Sequence, residues 1–113
     1  MSAPAIAESA VVPMPTFTGT EPCKLRPDGF FLAKYTRSPE VRAAKEACHT
    51  CPLMPQCQVW ALANPHLTPY GIWGATTPSE RRTFRSRLAR RLTDQQIKAG
   101  YRTAYDKATK GSS

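Results

Sequence analysis

At 113 residues the chain has room for one domain, and a domain of this size buries too little apolar surface to be robust on a core alone. Four Cys and 11 Pro point to a covalent or metal staple, and no apolar run approaches the ~20 residues that a membrane-spanning helix needs. The net charge of +8 is unevenly placed: residues 77–113 hold 10 Lys and Arg against 3 acidic residues, whereas residues 1–76 hold 6 against 5.

Residues 1–20 are rich in Ala, Pro, Thr and Ser and are expected to form a disordered leader, because they cannot offset the entropy of ordering. They lack Lys and Arg, and Glu8, Pro4, Pro13 and Pro15 interrupt them, so they do not read as a secretory signal. The expected compartment is a reducing cytoplasm, where cysteines serve as ligands more often than as cystines. From Cys23 the chain runs through a Pro27-Asp28-Gly29 turn into the apolar cluster Phe30-Phe31-Leu32. Ser38 as N-cap and Pro39 as first helical residue open a helix that reaches about Cys48.

A second helix is expected from about Pro55 to Ala63, ended by Pro65 and Pro69, with Trp60 in the core. Tyr70-Gly71-Ile72-Trp73-Gly74 reads as a tight turn that presents an indole. Thr77-Pro78-Ser79-Glu80 has the capping-box pattern and starts a basic helix with a narrow apolar stripe of Phe84, Leu88 and Leu92. Thr93-Asp94-Gln95-Gln96 repeats the cap, which predicts a break or a further short helix. With no strand pattern, the expected fold class is all-α: about four short helices organised around the four cysteines, with disordered termini. The expected division is a leader at 1–20, a domain at 21–92 and a basic C-terminal tail at 93–113.

Cys48 and Cys51 are separated by two residues, Cys57 follows after five more, and 24 residues separate Cys23 from Cys48. Such a set can grip one centre and tie three parts of the chain together. Thiolates select zinc, Cu(I) or iron–sulfur clusters, so spacing leaves zinc and a cluster as comparable readings. Structural disulfides and a thioredoxin-like redox role for Cys48-His49-Thr50-Cys51 are lesser alternatives, the latter lacking a strand-helix-strand context. His49 and His66 are expected at the surface. Arg81, Arg82, Arg85, Arg87, Arg90 and Arg91 fall within eleven residues, and Glu80 is the only acidic residue between 77 and 93. That density of uncompensated charge suits the phosphates of DNA.

Cys23, Asp28-Gly29-Phe30-Phe31, Cys48-His49-Thr50-Cys51-Pro52, Cys57 and Gly71-Ile72-Trp73-Gly74 followed by Glu80-Arg81-Arg82 together resemble the WhiB-like transcription regulators of actinobacteria and their phages. The resemblance covers roughly residues 23–85. It implies a 4Fe-4S cluster on Cys23, Cys48, Cys51 and Cys57 that responds to oxygen or nitric oxide. It also implies a non-enzymatic regulator that binds region 4 of the primary sigma factor as a one-to-one heterodimer. The partner-binding set is then Phe30, Phe31 and Trp73, with the turn glycines Gly71 and Gly74. The family's turn usually ends Trp-Gly-Gly, and here Ala75 stands last, which would be strained if that position needs a positive φ. A zinc-stapled nucleic-acid-binding module and a disulfide reductase of the metal-free form are the contrasting readings.

Overall fold

The computed structural model describes residues 11–111. Its described residues form α1 (Pro22–Leu25), a 3₁₀ turn (Pro27–Gly29), α2 (Pro39–Thr50), α3 (Met54–Ala63), α4 (Pro78–Ala89) and α5 (Asp94–Gly111), with no strand among them. The all-α class is as expected. The helix starts follow local chemistry: α1, α2 and α4 begin on proline, whose missing N–H is an orphan at that position anyway. Ser38 Oγ accepts from the Val41 amide at 3.2 Å. At α4 the Glu80 amide donates to Thr77 Oγ1 at 3.3 Å and the Thr77 amide to Glu80 Oε1 at 2.9 Å, which completes the capping box. Thr93 and Gln96 make the same reciprocal pair at the start of α5.

Two apolar clusters lie on either side of α3. One gathers Phe30, Val41, Ala44, Cys48 and Ile72. The other gathers Val12, Trp60, Ala61 and Tyr105. Trp60 is buried, as its place in an apolar helix predicts, and His49 and His66 are exposed.

Two expectations change, and one is completed. The leader reading falls partly on residues 1–10, which lie outside the described residues; of the rest, Val12 is buried against Trp60 and Tyr105, and Phe17 stacks under the Lys24 ammonium at 4.4 Å. Within the expected 93–113 tail, Asp94–Gly111 forms an 18-residue helix packed on α3, with Tyr101 and Tyr105 buried, because Ile97, Tyr101 and Tyr105 recur every four residues and give it one apolar face. The Phe84-Leu88-Leu92 stripe does not face the core: Phe84 is 44% and Leu92 39% exposed, and it is Arg81 that α4 buries.

The approach to Cys23 is fixed by a carboxylate. Glu21 accepts from the Thr18 amide at 2.9 Å, the Thr18 hydroxyl at 3.0 Å and the Gly19 amide at 3.0 Å. These donors, the Thr18 amide foremost, hold its pKa down to about 2 from an ordinary 4.5. The pKa is depressed in the folded state, so the stabilisation is present above about pH 4.5 and is lost as pH falls toward 2. Urea unfolding between pH 6 and 2.5 should therefore show a shallower acid loss for Glu21→Gln than for the native chain.

Candidate metal centre

Cys23 lies in α1, Cys48 in the last turn of α2, Cys51 at its C-cap, and Cys57 in the first turns of α3. The break between α2 and α3, with Pro52 in it and Pro55 in the first turn of α3, turns α3 back so that Cys57 comes beside the pair at the end of α2. All four are free thiols, and all four line one cavity. The atom-free space within its walls and mouth is about 340 Å³, and its other walls include Phe17, Phe30, Met54, Ile72 and Trp73. No three His, Cys, Asp or Glu side chains among the described residues are gathered closely enough to hold a single metal ion. The thiols share a cavity wall instead.

Their electrostatics are those of a buried sulfur group. Burial pushes the Cys57 thiol up to about 12, with Cys48 and Cys23 adding to the rise. Burial also raises Cys48, opposed by the Ala75 amide, and raises Cys23, opposed by Lys24. The Gly74 amide points at both Cys48 and Cys57. These N–H groups are placed to donate to ligating sulfurs, an interaction that favours the deprotonated, metal-bound form. The donor set therefore fits a thiolate-held centre with a polar cover from the Gly74-Ala75 backbone, and such a centre would be held by Cys23, Cys48, Cys51 and Cys57.

The turn over the cavity is held from several directions. Trp73 and Thr76 exchange backbone hydrogen bonds at 3.1 and 3.0 Å, and the Ile72 amide donates to Phe30 O at 2.7 Å. Tyr35 Oη accepts from the Gly71 and Leu32 amides. Gln58 Nε2 donates to Gly74 O at 3.0 Å. Gly71 and Gly74, both at positive φ, serve close approach: an added Cβ at Gly71 would meet Phe31 and Trp73, and one at Gly74 would collide with the Gln58 backbone. Ala75 is at φ 63°. Left-handed backbone costs a non-glycine residue ~1–2 kcal/mol, partly offset by the extra entropy that glycine gives the unfolded chain. Ala75→Gly should accordingly raise stability by about 1 kcal/mol in chemical denaturation, without moving the turn.

Trp73 is half-buried, its ring 5.5 Å from Trp60 and 6.0 Å from Phe31, which meets it edge to face at 88°. Its Nε1 donates to Tyr70 O at 3.0 Å. Phe31 is 51% and Tyr70 70% exposed, so an aromatic surface opens beside the turn. Phe30 is different: it is buried in the core and lines the cavity, so it has no surface to offer a partner. Its expected partner-binding role is corrected to a packing one.

The arginines divide as well. Arg82, Arg87, Arg90 and Arg91 are exposed, and Arg85 is half-buried with Nη1 3.4 Å from Leu62 O. Arg81 has no exposed surface and cannot reach a phosphate, which removes it from the DNA-binding set. It donates to Thr76 O at 2.6 Å, Gly71 O at 2.9 Å, Thr68 O at 2.9 Å and Tyr70 O at 3.4 Å. Burial, with Arg85, lowers its pKa to about 10, so it stays charged at neutral pH. Nothing in the sequence distinguishes Arg81 from its five neighbours, because the carbonyls that select it belong to a loop 5 to 13 residues upstream.

Among the described residues no helix is long and apolar enough to cross a membrane. No solved structure is a significant match to the chain. The chain is 41% identical over 56 residues to the transcriptional regulator WhiD of Streptomyces coelicolor, covering 50% of this chain and 48% of that protein. It is 48% identical over 48 residues to the redox-responsive transcriptional regulator WhiB3 of Mycolicibacterium smegmatis, covering 42% and 48%. The chain thus spans about half the length of these curated relatives. Residues 19–84 match the family model described as transcription factor WhiB, and that stretch contains all four cysteines and the tryptophan turn. On these grounds the chain belongs to the WhiB family of transcription factors.

Proposed function

We propose that the chain is a transcription regulator built on a 4Fe-4S cluster, which binds region 4 of the primary sigma factor in a one-to-one complex and contacts promoter DNA from its basic helix. The observation that carries this reading is the common cavity of Cys23, Cys48, Cys51 and Cys57 directly beneath the Trp73 turn. A cluster has corners far apart, whereas tetrahedral zinc needs its sulfurs about 3.8 Å from one another. Four thiols that line one cavity with irregular spacing, a single Cys-x-x-Cys pair instead of two, fit the former. When bound, the cluster supplies redox and gas-reactive iron. The chain's own part is to hold it with four thiolates, shield it with Phe30, Ile72 and Met54, and offer amides to its sulfurs.

Phe31 and Trp73 form the partner surface, with Gly71 and Gly74 shaping it. Trp73 rests on Trp60 and covers the cavity, so disturbance of the centre disturbs the surface presented to sigma. Arg82, Arg87, Arg90 and Arg91 provide the DNA contact, with Arg85 secondary. Transcription places the protein in the cytoplasm. A disulfide reductase fits poorly, because the Cys48-His49-Thr50-Cys51 pair has no strand-helix-strand context among the described residues.

The test is anaerobic co-purification with a sigma region 4 fragment, followed by titration of promoter DNA into the complex. Trp73→Ala should retain iron and sulfide yet weaken sigma binding by roughly 30- to 1,000-fold, the ~2–4 kcal/mol of an interface anchor. DNA affinity should fall steeply with salt, less steeply once Arg82, Arg87, Arg90 and Arg91 are changed to Gln. Colourless protein with one zinc would overturn the cluster, and undiminished sigma binding by Trp73→Ala would overturn the docking surface.

A further inference from the structure

Arg81 is a fully buried cation, and each of its hydrogen bonds ends on a neutral oxygen: the carbonyls of Thr68, Tyr70, Gly71 and Thr76 and the Thr76 hydroxyl. Its Nε has no hydrogen-bond partner. The nearest acidic residue in the chain, Glu80, turns to Lys45 at 2.7 Å and to the Thr77 amide. A buried charge without a counter-charge is costly enough that proteins seldom keep one. Tyr35 and Cys57 act on Arg81 from other elements and favour its charged form, and the cations Arg85 and Arg82 act on it from α4. A negative charge on the sulfur centre would thus lie within its reach.

The turn between the two has opposite polarity at its two sides. Its Gly74 and Ala75 amides point at the sulfurs of Cys48 and Cys57, while its Gly71 and Thr76 carbonyls point at Arg81. Peptide dipoles in this orientation are favourable toward an anion on one side and a cation on the other. They bracket Trp73.

We propose that Arg81 is the counter-charge of the cluster, and that it couples the charge of the cluster to the shape of the Trp73 turn through the carbonyls it holds. The inference rests on the cluster reading given above. Arg81 is a positioning residue and touches no reacting atom. Addition of one electron makes the centre more negative, so a fixed cation nearby favours the reduced state, and the same attraction opposes loss of the centre.

The experiment is an anaerobic dithionite titration of the intact, cluster-loaded chain, with iron and sulfide measured for every sample. Arg81→Gln keeps hydrogen-bond donors and removes the charge. It should disfavour reduction about tenfold, ~59 mV for one electron, whereas Arg81→Lys at neutral pH should restore most of the loss. A desolvated lysine titrates in reach of experiment. The Arg81→Lys potential should then fall between pH 6.5 and 8.5, while the native potential stays level because Arg81 is still charged there. This arm decides the matter if Arg81→Gln does not fold. Native chain without iron and sulfide would defeat the cluster reading itself. Loaded variants whose potentials match the native one, with no added pH dependence in Arg81→Lys, would leave the cluster intact and overturn the counter-charge.

Discussion

Cys57→Ser is expected to abolish retention of the metal centre. Cys57 is buried at the base of the cavity, within electrostatic reach of the other three thiols, and a serine hydroxyl is a hard, protonated oxygen where a soft thiolate is required. Loss of a partner merely hydrogen-bonded to a ligand costs roughly 10- to 100-fold in metal affinity, and loss of the ligand should cost at least as much. Iron and sulfide per chain should collapse on anaerobic purification, together with the visible absorbance. The structural consequence follows from where the four sulfurs come from. They join α1, α2 and α3, three segments otherwise tied by a small core of Phe30, Val41, Ala44, Cys48 and Ile72, so the variant should also unfold at lower urea than the loaded chain. A Cys57→Ser protein that keeps its full iron content would show that the cavity is not the metal site.

Trp60→Ala should cost ~3–5 kcal/mol, the usual result of emptying a buried aromatic site. Trp60 is 5% exposed and packs against Val12, Ala61 and Tyr105 as well as the Trp73 ring. One substitution would thus release the N-terminal segment, the C-terminal helix and the inner face of the partner surface together. Against a total stability of ~5–15 kcal/mol for a domain, that is a large share. Equilibrium denaturation should show it directly, and amide exchange should locate the added opening in α5. A loss below about 1 kcal/mol would mean that the second cluster does not hold the fold together.

These effects also separate Trp73 from Trp60. The two indoles are in contact, yet truncation of the half-exposed one should chiefly weaken partner binding, and truncation of the buried one chiefly stability. No sequence pattern makes that division, since it depends on which face of the Gly71–Gly74 turn is left open to solvent.

Much of this chain is determined by short-range chemistry and was legible without coordinates. Ser38-Pro39, Thr77 with Glu80, and Thr93 with Gln96 each mark a helix start through a cap that forms within a few residues. The cysteine spacing suggested one shared centre, and the four thiols do line one cavity; Ala75, where the resembling family has glycine, has the positive φ that such a turn position implies.

What only the tertiary structure decided lies in long-range partners. Val12 and Tyr105 are 93 residues apart and are buried together on Trp60, although each lies in a segment whose composition is that of a leader or a tail. Phe30 and Phe31 are adjacent in sequence, but one closes the cavity and the other lies against Trp73 in solvent. Arg81 appeared as one of six alike charges; the loop carbonyls gathered around it made it the buried one and left Phe84 outside. Local caps are settled by a residue and its near neighbours, whereas burial is settled by whatever the folded chain brings alongside, and that information is held by no single segment.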